Sequence, residues 1–119
     1  MKDLAIIPIV DNRVLVNIIG DKYEFYRILH DDDDVYLQIC NFLELKNMYV
    51  EDIQMTPEFE FDGAVAIVKS ELSSEITEDV RKNFILLTAF EVFNALADEK
   101  ITGLVDYLLF EKLYTNYLK

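Results

Sequence analysis

The stretch AIIPIVDNRVLV, residues 5–16, sets two β-branched runs on either side of an Asp11-Asn12 pair. Branched side chains fit a pleated, half-buried surface, and Asp and Asn tolerate the positive φ that a two-residue hairpin turn demands. The reading is strand–turn–strand, over DLAIIPIV (3–10) and RVLVNII (13–19). Gly20-Asp21 supplies a second turn, and KYEFYRIL (22–29) alternates well enough for a third strand. The fold therefore opens as a meander. The segment MKDLAIIPIVDN reads as its first strand and not as a signal peptide, because its apolar stretch is short and no small-residue cleavage site follows.

Next comes HDDDDVYLQICNFLELKNMY, residues 30–49. Asp31 to Asp34 are expected at the front of a helix running to about Asn47. Carboxylates in a first turn offset the positive end of the helix dipole, and one of them can cap free amides. Val35, Tyr36, Ile39, Cys40 and Leu43 form a stripe expected to be buried, with Gln38, Asn41 and Glu44 on the wetter side. Phe42 and Leu45 widen the apolar face, which predicts cover on two sides.

YVEDIQM (49–55) and FEFDGAVAIVKSEL (59–72) read as two more strands joined through Thr56-Pro57, with Gly63 marking a bulge or a close backbone approach. SSEITEDVRKN (73–83) is a polar loop with a helical turn, and FILL (84–87) a short buried strand. TAFE (88–91) is a capping box: the Thr88 hydroxyl accepts from the amide of Glu91, whose carboxylate reaches back. It opens a helix through Ala97. A last helix is expected over 102–118, with Leu104, Leu108, Phe110, Leu113 and Tyr117 near helical spacing. The order predicts an α+β fold, a mixed β-sheet sandwiched between helices, in one domain spanning 1–119.

Composition narrows the function. Apolar residues make up 52% of 119, which excludes a disordered chain, and no apolar run approaches the ~20 residues that span a bilayer. A single cysteine, Cys40, forbids an intrachain disulfide and suggests a reducing, cytoplasmic setting. The net charge of −12 repels phosphate backbones and anionic lipid, so neither direct nucleic-acid binding nor membrane binding is expected. It leaves plain solubility, an anionic ligand held through a divalent cation, or a basic protein partner.

The opening hairpin, the element order and the tail FILLTAFEVFNALADEKITGLVDYLLFEKL (84–113) together resemble the Nudix hydrolase family, in its ADP-ribose pyrophosphatase-like branch. That resemblance implies a Nudix-like fold and, in active members, a box G-x5-E-x7-R-E-U-x-E-E-x-G-U, with U aliphatic. The box glutamates bind Mg²⁺, which bridges them to the substrate pyrophosphate. The best register lays NFLELKNMY (41–49) on the second half of the box. Asn41 then stands in the arginine position; Phe42, Leu45 and Lys46 stand in the three glutamate positions; Met48 and Arg27 replace the two glycines. Leu43 matches, while Asp33 and Tyr49 are loose equivalents. Phe42 and Leu45 offer no oxygen to a hard cation, and Lys46 brings an ammonium where a dication belongs. Like charges ~4 Å apart cost about 1 kcal/mol even in bulk water. The box is degenerate, and no cofactor is expected.

The leading expectation is thus a Nudix-like domain that has lost pyrophosphohydrolase activity and serves as a nucleotide-type ligand-binding or protein-interaction module. The alternative is a Mg²⁺-dependent nucleoside-diphosphate-sugar hydrolase with displaced carboxylates: Asp33, Asp34 and Glu44 as metal ligands, Glu44 as the catalytic candidate, and Glu75 or Glu78 contributed from a loop. A further alternative is an acidic decoy that blocks a basic nucleic-acid-binding protein. Tyr23, Phe25 and Arg27 are the candidate ligand contacts, the aromatics either stacking a base, as in resembling folds, or packing with Tyr26 into core and rim. His30, the lone histidine, is expected at the surface, and Cys40 as an inert buried thiol. Tyr107, Phe110, Tyr114 and Tyr117 crowd the last helix beyond what one buried face absorbs, pointing to a subunit or partner interface, a homodimer among the readings.

Overall fold

The computed structural model describes residues 2–31, 33–57 and 63–118. Strand β1 (Lys2–Val10) turns through Asp11 and Asn12, at φ 51° and 63°, into β2 (Arg13–Ile19). This is the hairpin its sequence demands. Gly20, at φ 62°, turns β2 into β3 (Lys22–Glu24).

The expected strand over 22–29 is in fact two strands. It breaks at Phe25, so that β3 pairs with the end of β2 while β4 (Tyr26–His30) pairs with the start of β1. The amide freed at the break donates to the Thr102 carbonyl at 3.1 Å, from β8 (Ile101–Thr102), which runs parallel to β3. Gly103 follows at φ 126°, where a Cβ would lie 3.4 Å from that of Phe25. Glycine is therefore required at that position.

Helix α1 (Val35–Leu45) leads into β5 (Met48–Thr56). The following β6 (Ala64–Leu72) returns beside β1 in parallel, with Leu4 opposite Ala64 through Ile9 opposite Lys69. The expected strand start at Phe59 lies outside the described residues. Gly63 precedes β6 and carries no bulge; the bulge sits in β5 at Glu51, between Val50 and Asp52. After the short α2 (Glu78–Arg81), β7 (Phe84–Leu87) pairs with β2. Then α3 (Ala89–Ala97) starts on the capping box, with Glu91 N to Thr88 Oγ1 at 3.2 Å and Thr88 N to Glu91 Oε1 at 3.0 Å. The Thr88 amide holds the Glu91 carboxyl below its usual range.

The last helix starts later than its spacing suggests. Residues 101 and 102 are bound to β3, and α4 (Tyr107–Leu113) begins only where the Asp106 carboxylate accepts from Leu109 N at 2.8 Å. It ends in a π-helical turn, Tyr114–Leu118.

Eight strands among the described residues form one mixed sheet, with helices on both faces. Alternate residues of β1 sort by face: Ala5 and Ile7 pack with Phe25, Val92, Phe110 and Leu113 of the α3–α4 side, while Leu4 and Ile6 pack with Ile39 and Leu43 of α1. Three of the four crowded aromatics near the chain's end meet Phe93 here, with Tyr107 left 41% exposed. The Phe93 ring lies 5.4 Å from Tyr107, 4.9 Å from Phe110 and 5.6 Å from Tyr114, and Phe110 also stacks on Phe25 at 6.2 Å. No helix among the described residues is long and apolar enough to cross a membrane.

Phe110 is fully buried, whereas its neighbour Leu108 is 75% exposed. Phe110→Ala is expected to cost about 3–5 kcal/mol in urea unfolding, and Leu108→Ala to stay within about 0.5 kcal/mol of the parent.

Candidate functional site: an acidic cleft beside the β5 bulge

The aspartate run lies ahead of α1 and not within its first turn. Asp34 is the N-cap, held at φ 40°, and its carboxylate accepts from Leu37 N at 3.2 Å. Asp31 accepts from Gln38 Nε2 at 2.9 Å and from Asp33 N at 3.1 Å. The Gln38 bond is the main reason its carboxyl falls below the ordinary value. Asp32 lies outside the described residues. These bonds tie the run to the start of the helix.

Glu44 is exposed ten residues beyond Asp34, which at 1.5 Å per residue separates them by about 15 Å along the axis. One cation binding at 2.0–2.6 Å cannot be shared across that distance. Among the described residues, no three His, Cys, Asp or Glu side chains gather closely enough to hold a metal ion.

The three positions where the resemblance expects glutamates have other occupations. Phe42 is half-buried, edge-on to Tyr26 at 5.8 Å. Leu45 is 82% exposed. Lys46 Nζ hangs over both rings, 5.6 Å from the centre of Phe42 and 5.9 Å from that of Tyr26, each a contact worth about 0.5–1 kcal/mol at an exposed site. A cleft of about 210 Å³ opens between this lysine and Asn83, too small for a nucleotide-sized ligand. Burial pushes the Tyr26 hydroxyl up to about 12. Helix α1 is thus covered on one face, with Tyr36 about half exposed instead of buried.

The structure does not gather the other sequence candidates into a site. Phe25 is 1% exposed and Tyr23 packs half-buried on the same core, while Arg27 is exposed opposite Ala5. His30 is buried at the end of β4, not on the surface, and its Nδ1 donates to the Asp31 carbonyl at 2.7 Å. Cys40 is a half-buried free thiol.

The larger concavity, about 460 Å³, lies elsewhere, across the ends of β1, β5 and β6. Its floor is Ile9 and Ile67, its wall Tyr117, and its rim Asp11, Glu51, Asp52 and Glu71. The β5 bulge makes this rim. Val50 pairs with Ser70 and Asp52 with Lys69, so the extra residue, Glu51, lets two consecutive acids share one face. Glu51 lies 3.6 Å from Lys69 Nζ and also reaches Glu71. Hydrogen bonding to Glu51, and then the like charge itself, raise the Glu71 carboxyl above its ordinary value. The sequence holds one trace of this: in a strand of period two, Glu51-Asp52 is one polar residue too many. No family model matches the chain, and no curated protein matches it.

A carboxyl whose folded pKa is raised stabilises the fold below its ordinary value, and that contribution is lost as pH climbs through the raised one. Glu71→Gln should therefore raise Tm slightly at pH 7, with the gain vanishing as pH falls through the carboxylate range. A gain independent of pH would place the cause outside the Glu51–Glu71 repulsion.

Proposed function

We propose that this chain is a Nudix-like domain without pyrophosphohydrolase chemistry, acting as an interaction module for a basic protein. Support for the family reading comes from the opening hairpin, the parallel return of β6 to β1 and the capped α3 leading into the last helix. The non-catalytic reading rests on a lysine seated on two rings at the end of α1, where a magnesium enzyme needs oxygens.

The observation that carries the partner assignment is the rim of the 460 Å³ cleft. It presents Asp11, Glu51, Asp52 and Glu71 against Lys69, the single cation lining it among the described residues and itself within ion-pair distance of Glu51. A nucleotide phosphate entering there meets four like charges. Cationic side chains meet carboxylates in excess of Lys69, of which, among the described residues, no three gather closely enough for a metal ion, and this suits several Lys or Arg heads better than one small ion. The net charge of −12 extends the same attraction to longer range, within a Debye length of about 8 Å at physiological salt.

Titration with oligolysine tests this reading. Binding should weaken steeply between 50 and 300 mM salt (on the order of tenfold or more) and fall further in Asp52→Lys, while ADP-ribose with Mg²⁺ should give neither AMP nor a thermal shift. Mg²⁺-dependent AMP release would overturn it in favour of the hydrolase with displaced carboxylates. A thermal shift with ADP-ribose alone would favour the nucleotide-type ligand.

A further inference from the structure

Strand β5 is the end of the sheet's hydrogen-bonded order, and among the described residues no strand pairs with its outer edge. It offers nine residues, Met48–Thr56, longer than an average strand. We propose that this edge receives an extended segment of the partner as an added strand, and that the segment alternates Lys or Arg with apolar residues. The inference deepens the reading of a basic partner and rests on it.

The alternation follows from the two faces of β5. On one side Glu51, Asp52 and Gln54 line the acidic cleft. On the other, Val50, Ile53 and Met55 are half-buried, packed against the α1 core. A strand laid alongside β5 sends successive side chains to these two faces in turn. Its first set meets carboxylates and its second set meets aliphatic surface. Main-chain hydrogen bonds supply affinity in such an addition, and the alternating side chains supply selectivity.

A second copy of this chain does not fit the same edge. Full antiparallel overlap of residues 48–56 with themselves about a twofold axis puts Asp52 opposite Asp52 and Glu51 opposite Ile53. Like charges directly opposed are destabilising, and a charged edge resists self-pairing. What repels the copy attracts a basic strand.

A nine-residue peptide alternating lysine and valine is the probe, with its fully N-methylated form as control. N-methylation keeps every charge and removes the amides a ladder needs. The plain peptide should bind and slow hydrogen exchange of amides within 48–56, with the methylated peptide weaker by roughly tenfold or more. Equal binding by both peptides, with exchange in β5 unchanged, overturns strand addition and leaves the basic-partner reading standing. Binding by neither overturns both.

Discussion

Strand β1 must satisfy neighbours on both edges and both faces at once, and the rest of the molecule is arranged around that requirement. One edge is taken by β6 in parallel. The other is divided: residues 2–6 face β4 and residues 9–10 face β2. Pro8 shows how closely the chain keeps to this division. In a two-residue hairpin the residues flanking the turn, Val10 and Arg13, exchange hydrogen bonds, so residue 8, two positions back, aims at the same edge. There β4 has already ended and β2 has not begun. A proline buried mid-strand ordinarily argues against a central strand; here its missing N–H falls between the β4 and β2 pairings, where neither strand pairs with residue 8.

That division also explains the break at Phe25. A continuous strand over 22–29 cannot follow β2 and β1 together once the two diverge, so it pairs first with one and then with the other. Alternation of polar and apolar residues was enough to find the strand. The break could not be read, because its cause is the splay of two earlier strands and the carbonyl of Thr102, more than seventy residues away. Locally determined features were legible for the opposite reason. The Asp11-Asn12 turn, the FILL strand and the Thr88 capping box each depend on residues within a few positions. The late start of α4 belongs with the break: spacing alone ran the helix back to 102, yet Gly103 and the Asp106 cap both mark where it begins.

The candidate site was less visible than the fold. The aspartate run draws the eye, yet the Asp31 and Asp34 carboxylates are engaged in local bonds at the start of α1. The acids that define the cleft come from a turn (Asp11), a bulge (Glu51 and Asp52) and a neighbouring strand (Glu71), and each looks like ordinary surface charge. Only the register of β5 on β6 puts Glu51 within reach of both Lys69 and Glu71. The aromatics near the chain's end were hard to place for the same reason, since Tyr107, Phe110 and Tyr114 all meet Phe93 on a different helix.

The parallel pairing of β1 with β6 sets the order of events during synthesis. Leu4 meets Ala64, so the apolar run from Leu4 to Val10 leaves the ribosome about sixty residues before the strand that covers its second edge. At about 5–20 residues per second that interval lasts on the order of 3–12 s. Throughout it the nascent chain displays a β-branched segment with an open edge, the kind of sequence that chaperones hold and that neighbouring polysomal chains can capture. The early β2 hairpin, which can close within microseconds, hides only two residue pairs of it.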